Sequence, residues 1–122
     1  MISSRLIGAQ LLSAQLNEVL FKDCNLEGAI FISVQSNNLL FENCSLERAI
    51  FEGADIQKAI FKNCDLSLAD FRNAKLAKAD FRTSSINGIQ LNAKDVNGAI
   101  ISPAQAIQIV GLLGVSVLDE EG

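Results

Sequence analysis

Residues 39–81 read LLFENCSLERAIFEGADIQKAIFKNCDLSLADFRNAKLAKADF, and this stretch decides the fold. Within it Phe41, Phe51, Phe61, Phe71 and Phe81 recur every ten residues, with Leu46, Ile56, Leu66 and Leu76 midway between them. Two places before most of these centres stands a small residue: Cys44, Ala49, Ala54, Ala59, Cys64, Ala69, Ala74 or Ala79. The chain therefore repeats every five residues. That period matches neither the 3.6 residues of a helical turn nor the two of a strand. It suits a chain that turns a corner every five residues. The large centre and the small residue two before it then face inward together, as in a short extended segment. The three remaining positions carry nearly all the charge and face water.

Longer periods set the number of sides. Phe alternates with Leu or Ile, giving a period of ten, and Cys24, Cys44 and Cys64, continued by Ser4 and Ser84, give twenty. Twenty residues in sides of five make four sides per coil. Residues twenty apart then stack at the strand spacing of ~4.8 Å, and about five coils make a rod ~24 Å long. All seven phenylalanines, Phe21 and Phe31 included, are repeat centres, whereas a globular core would scatter them. Each stacked ring buries roughly 150–250 Å², so the Phe files are expected to be the chief source of stability.

The pattern of Ala or Cys, then Asp or Asn, then Leu or Phe, then two polar residues resembles the pentapeptide-repeat family over residues 6–101. The resemblance implies an all-β solenoid, a right-handed quadrilateral β-helix. Residues 62–73, KNCDLSLADFRN, are also similar to a segment of the quinolone-resistance proteins within that family. Those proteins look like DNA in size and charge and bind type II topoisomerases such as gyrase.

Three parts are expected: a repeat body over residues 1–101, a C-terminal capping helix with a short strand over 102–118, and an acidic tail over 119–122. The first coil has no obvious cap, so Met1 to Arg5 either fold over its end or leave it to meet something. In the second coil Ser36 replaces a large centre and precedes Asn37 and Asn38. A loosened corner, a bulge, a short binding loop and simple drift in a tolerant repeat all fit. The fifth coil degrades: Ile89 is large where a small residue is expected, and Lys94 falls on an inward position. A buried unpaired charge is costly, so Lys94 must swing out or find an acid. Outward charges form files of mixed sign, Lys22, Glu42 and Lys62 and then Arg82 in one, Glu52 and Arg72 in another, Asp55, Lys75 and Asp95 in an alternating third. Such neighbours contribute ~0.2–1 kcal/mol each.

Ser102-Pro103 is a helix-start signal, Ala106, Ile107, Val110 and Leu113 follow at three-to-four spacing, and Gly114 is a fitting stop. Val115 to Leu118 suit a short strand. The segment holds more apolar residues than one lid requires. It is either a cap alone or a cap that also pairs two chains about a two-fold axis through Ile107, Val110, Leu113, Val115 and Val117. The resemblance supports pairing, since C-terminal helices dimerise several members of the family.

Two outward patches escape the polar rule. Leu12, Ile30, Ile32 and Ile50 stand together on one side and form a candidate partner-binding patch; Leu20, Leu40 and Ile60 line the opposite side. Branched residues also suit strand positions when exposed, so β-propensity is the competing explanation.

The net charge is −4, but Asp119, Glu120 and Glu121 leave a body of eleven acids against ten bases. A nucleic-acid binder needs a basic stripe, so direct nucleic-acid binding is not expected. A DNA mimic needs an acidic column, for which Glu27, Glu47 and Asp65, interrupted by Arg48, are the best candidates. The three cysteines lie on one inner file with parallel side chains, whereas a disulfide needs converging ones. They read as reduced thiols acting as small hydrophobes, which fits the cytoplasm. The chain starts without a signal-peptide pattern, and no apolar run approaches the ~18 residues of a membrane span. With no His, no nucleophile elbow, no phosphate loop and no metal spacing, neither an enzyme nor a cofactor is expected. Asp65 and Asp70 precede centres on adjacent sides, where an Asp serves the corner rather than a carboxylate pair. The expected function is a rigid protein-binding or scaffold module, dimeric through its C-terminal helix. The alternative is a DNA-mimicking modulator of a type II topoisomerase.

Overall fold

The computed structural model describes residues 7–118, so the lead-in of Met1 to Arg5 and the acidic tail of residues 119–122 lie outside the described residues. Its strands are β1 (Gln15–Asn17), β2 (Leu20–Lys22), β3 (Gln35–Asn37), β4 (Leu40–Glu42) and β5 (Ile60–Lys62), followed by a 3-10 turn at Ala93–Val96 and helix α1 at Pro103–Leu112. All pairing is parallel with an offset of twenty: Phe21 meets Phe41 and Phe41 meets Phe61. Single bridges repeat that offset on the other sides, as in Asn25 with Ser45, Ile30 with Ile50 and Gln35 with Asp55. Four successive contact points, at residues 25, 30, 35 and 40, thus make one coil. The coil is four-sided, as the twenty-residue period requires.

Every centre from Phe21 to Ile86 is buried except Ser36, and the residues two before them are buried as well, apart from the half-buried Val19. Phe21, Phe41, Phe61 and Phe81 form one file with parallel rings 5.0–5.2 Å apart. Phe31, Phe51 and Phe71 form the facing file at 4.7–4.8 Å. Rings of the two files meet edge to face at 5.5–6.1 Å. Stacked and edge-on contacts both suit the ring quadrupole, so a single core contains both favoured geometries.

The corners explain the rest of the pattern. Ser13, Glu18, Asp23 and then nearly every fifth residue to Lys78 hold positive φ, with Gly8, Gly28, Gly53, Gly88 and Gly98 filling the same position elsewhere. Left-handed backbone is cheapest for Gly, Asn and Asp and is worst for a β-branched residue. Thr83 is the β-branched residue in this series, and it is not among the positive-φ residues.

The cysteine file is interior, as the period predicts, but its thiols act as more than small hydrophobes. Corners such as Leu26 to Ala29 close with a backbone bond from the Ala N–H to the centre's carbonyl. Among the described residues no such bond closes the corners after β2, β4 and β5. There the side chain stacked in the next coil steps in. Cys24 N–H is taken by Cys44 Sγ, Cys44 N–H by Cys64 Sγ, and Cys64 N–H by Ser84 Oγ at 3.0 Å. Each also donates backward: Cys44 Sγ to the Phe21 carbonyl, Cys64 Sγ to that of Phe41, Ser84 Oγ to that of Phe61.

Ser36 produces neither a bulge nor a loop. Leu16 pairs with Ser36 and Asn17 with Asn37 in unbroken register, and Ser36 Oγ donates to the Asp55 carbonyl. A real break comes later, at the 3-10 turn. Lys94 is exposed, and Asp95 is buried instead. Asp95 Oδ2 accepts from the N–H groups of Asn73 and Asn92, both at 3.0 Å. The expected outward file of Asp55, Lys75 and Asp95 therefore stops at Lys75, because the carboxylate has turned inward to serve two backbone donors. Pairing resumes with Asp80 and Ile100.

Candidate interaction surfaces

Helix α1 starts as its sequence dictates. Ser102 Oγ accepts from Gln105 N–H, Gln105 Oε1 accepts from Ser102 N–H, and Pro103 opens the first turn. It ends in a Schellman arrangement, with Gly114 at φ 79 and bonds from Gly114 N–H to Gly111 O and Val115 N–H to Val110 O. The face that seals the rod carries Gln105 and Ile109, while Ile107 and Leu113 stand outside it. Gln105 is buried, and its Nε2 donates to the carbonyls of Phe81 at 2.6 Å and Ser84 at 2.7 Å. Ile109 packs against the core beside it. A polar plug fits better than an apolar one because it gives the Ser84 carbonyl a donor and adds a second to the Phe81 carbonyl, which also accepts from Ser84 N–H.

The remaining apolar residues of this segment face away. Ile107 is 62% exposed and Val117 59%; Leu113 and Val115 are exposed as well, while Val110 is half-buried. The expected strand at Val115–Leu118 does not form: these residues lie outside regular structure and present Val115, Val117 and Leu118 to solvent. An isolated strand needs a neighbouring edge, and among the described residues none pairs with it.

The residues of the candidate partner patch do come together. Ile30 and Ile50 share a file that continues into Asp70, and Leu12 and Ile32 share the adjacent file that continues through Glu52 into Arg72. Leu12 is exposed and the three isoleucines are half-buried. Across the rod, Leu20, Leu40 and Ile60 form a file that continues into Asp80 and then Ile100. With Glu18, Val19, Asn38 and Lys58 they line a shallow groove of about 430 Å³.

The acidic candidates are arranged less simply. Glu27 and Glu47 stack, but Asp65 lies in the neighbouring file with Asn25, Ser45 and Ser85. Asp65 Oδ1 accepts from Ser67 N–H, and Glu47 is paired with Arg48 at 2.9 Å. Other charges are also taken locally. Glu42 and Lys62 meet at 3.9 Å, as the mixed-sign file predicts. Arg82 leaves that file for Asp80, and Arg72 takes Asp70, each at 2.8 Å. The guanidinium beside each holds the Asp70 and Asp80 carboxyls below their usual range. Among the described residues no group of carboxylates and thiols could hold a metal ion, and no helix is long and apolar enough to cross a membrane.

This geometry, twenty-residue coils stacked in register around files of Phe and small residues, is matched in known proteins. A family model described as pentapeptide repeat region fits residues 34–102, more than half of the chain. The chain belongs to the pentapeptide repeat family. Among solved structures this pentapeptide repeat protein is similar to Rfr23, a pentapeptide repeat protein from the cyanobacterium Cyanothece 51142. That match has 16% identity and a TM-score of 0.57, covering 80% of this chain and 91% of that one. A pentapeptide repeat protein of the Arabidopsis thaliana thylakoid lumen matches at 20% identity and TM-score 0.51, covering 89% of this chain and 76% of that one. At such identities these likenesses concern the fold alone. QnrB1, a plasmid-mediated fluoroquinolone resistance protein, matches at 17% identity over 96% of this chain and 98% of its own, but with a TM-score of 0.31. That superposition is too loose to bear on fold or function. No curated protein matches the sequence.

Proposed function

We propose that this pentapeptide repeat protein is a non-catalytic, rigid protein-binding module that works as a homodimer joined through its C-terminal segment. The body is read as a right-handed helix of coils, the hand that parallel crossovers take. The observation that carries the proposal is the apolar surface left on and after α1. Ile107, Leu112, Leu113, Val115, Val117 and Leu118 are all exposed in the single chain. Six apolar side chains on a segment of twelve residues are what a two-fold contact covers and a lid does not need. The reduced, buried thiols support a cytoplasmic site of action. The patch of Leu12, Ile30, Ile32 and Ile50 is then the surface each rod offers to its protein partner, outside the dimer contact. Light scattering after size exclusion tests the dimer. The native chain should run at twice its 13.1 kDa mass and Ile107→Asp/Val117→Asp as a folded monomer. A monomeric native chain refutes the reading.

The family resemblance also raises DNA mimicry directed at a type II topoisomerase. Its support is the Glu27–Glu47 file. Against it stand the ion pairs that occupy Glu42, Glu47, Asp70 and Asp80, which leave patches of mixed sign rather than a negative band. A gyrase supercoiling assay with and without a quinolone separates the two readings: the scaffold reading expects no change in either arm.

A further inference from the structure

The break in the coil register at the 3-10 turn coincides with a concavity that is more polar than the groove beside Leu20, Leu40 and Ile60. Where the 3-10 turn Ala93–Val96 replaces a regular side, a groove of about 360 Å³ opens, lined by Gln57, Asn73, Lys75, Lys94, Asp95 and Asn97 among others. Lys94 reaches its rim because the turn has carried it off the inward position that the repeat assigns it. Lys75 faces it from the preceding coil. Among the described residues Arg48, Lys62, Arg72 and Arg82 each meet a carboxylate, but neither Lys75 nor Lys94 does. The acids nearest to hand are occupied. Asp55, one coil before Lys75 in the same file, accepts from Gln57 N–H and Gln57 Nε2 through Oδ1. Asp95 is buried against two backbone N–H groups.

We propose that this groove is a binding site for a small diphosphate-bearing molecule, with Lys75 and Lys94 as its cationic contacts and the Asn97 and Gln57 amides as further donors. Two ammonium groups and two amides offer more donors than one carboxylate can accept, and a diphosphate spreads its acceptor oxygens over a comparable width. Lysine serves such groups as a point charge. A concavity of this size is at the lower end of what small-molecule sites occupy. The proposal does not depend on the dimer or scaffold reading.

Isothermal titration of the full chain with sodium pyrophosphate tests it, at low ionic strength and again at about 0.15 M salt, where exposed charges are screened beyond ~8 Å. Saturable binding at one site per chain is expected, weakened at least tenfold in Lys75→Gln/Lys94→Gln. Both lysines are exposed, so that variant should melt with the native protein. Lys22→Gln/Lys62→Gln removes the same charge from another side and should bind as the native chain does. Three outcomes overturn the proposal: no saturable heat, equal weakening in both double variants, or binding of polyglutamate without binding of pyrophosphate.

Discussion

Cys44 shows how a single residue in this fold carries two duties. Its thiol accepts from Cys24 N–H and donates to the Phe21 carbonyl, in a buried file that ends at Ser84. Contact with Cys64 and then burial push the Cys44 thiol well above its ordinary range, so it stays protonated and able to donate. Cys44→Ala strands a buried N–H and should cost about 1–3 kcal/mol in urea denaturation. Cys44→Ser should recover most of that loss, because Ser84 already fills the same position with an oxygen. Equal losses in the two variants would mean that the file needs only a small side chain. Asp70 and Asp80 supply a pH dependence. Both carboxyls are held low by the side-chain hydrogen bonds of Arg72 and Arg82. A depressed folded-state pKa means stability that is complete above the unfolded carboxylate value of ~3.9 and drains away as pH falls below it. Asp70→Asn/Asp80→Asn should therefore flatten the fall in melting temperature below about pH 4. The variant should differ little from the native protein near neutrality, since exposed ion pairs are worth little.

Among the elements, α1 is the one whose role turns on geometry rather than pattern. Its boundary signals are local and the helix obeys them. Its docking rests on Gln105, whose amide closes two carbonyls of the last coil. Gln105→Ala removes the side-chain donor from the Ser84 carbonyl and one of two donors from the Phe81 carbonyl, which keeps Ser84 N–H, and should destabilise the cap by about 1–3 kcal/mol. Amide hydrogen exchange should show the loss first at Ser84 to Ile89, with the Phe31 to Phe61 region still protected. Uniform loss across the rod would show that cap and coils unfold as one unit. Gly98 marks another tight point: its φ is +79, and an added Cβ would stand 3.1 Å from the Ala77 Cα. Here the chain rejoins the register after the 3-10 turn, which is why a residue without Cβ is needed.

At the scale of the molecule the offset of twenty governs everything. Up to the 3-10 turn, residues of the body meet those twenty away on the same side. Removing residues 46–65 deletes one whole coil and leaves every pair of like residues aligned, so the shortened protein should fold with a reduced melting temperature. Removing residues 46–50 rotates all later coils by one side and sets Phe files against Leu files. That variant should lose its cooperative melt. Circular dichroism on heating distinguishes the two, and similar behaviour from both would contradict a stacked, four-sided rod. The same architecture leaves the outward faces free to vary, which is why contact surfaces must be sought at exceptions such as Ile30, Ile50 and Ile107.

The number of sides, the inward files and the opening turn of α1 were determined by the sequence alone. Their cause is local: an extended side of five residues can turn only its centre and one other side chain inward, so the pattern of Phe41, Cys44 and Leu46 admits one arrangement. The tertiary structure decided the cases in which a polar group had to choose a partner. It placed Asp95 inside and Lys94 outside, made Gln105 the seal, kept Ser36 in register, and left Val115–Leu118 without a strand to join. For Asp95, Gln105 and Ser36 a deciding atom belongs to a coil about twenty residues away, and a backbone donor or acceptor that must be satisfied there cannot be read from the residues beside it.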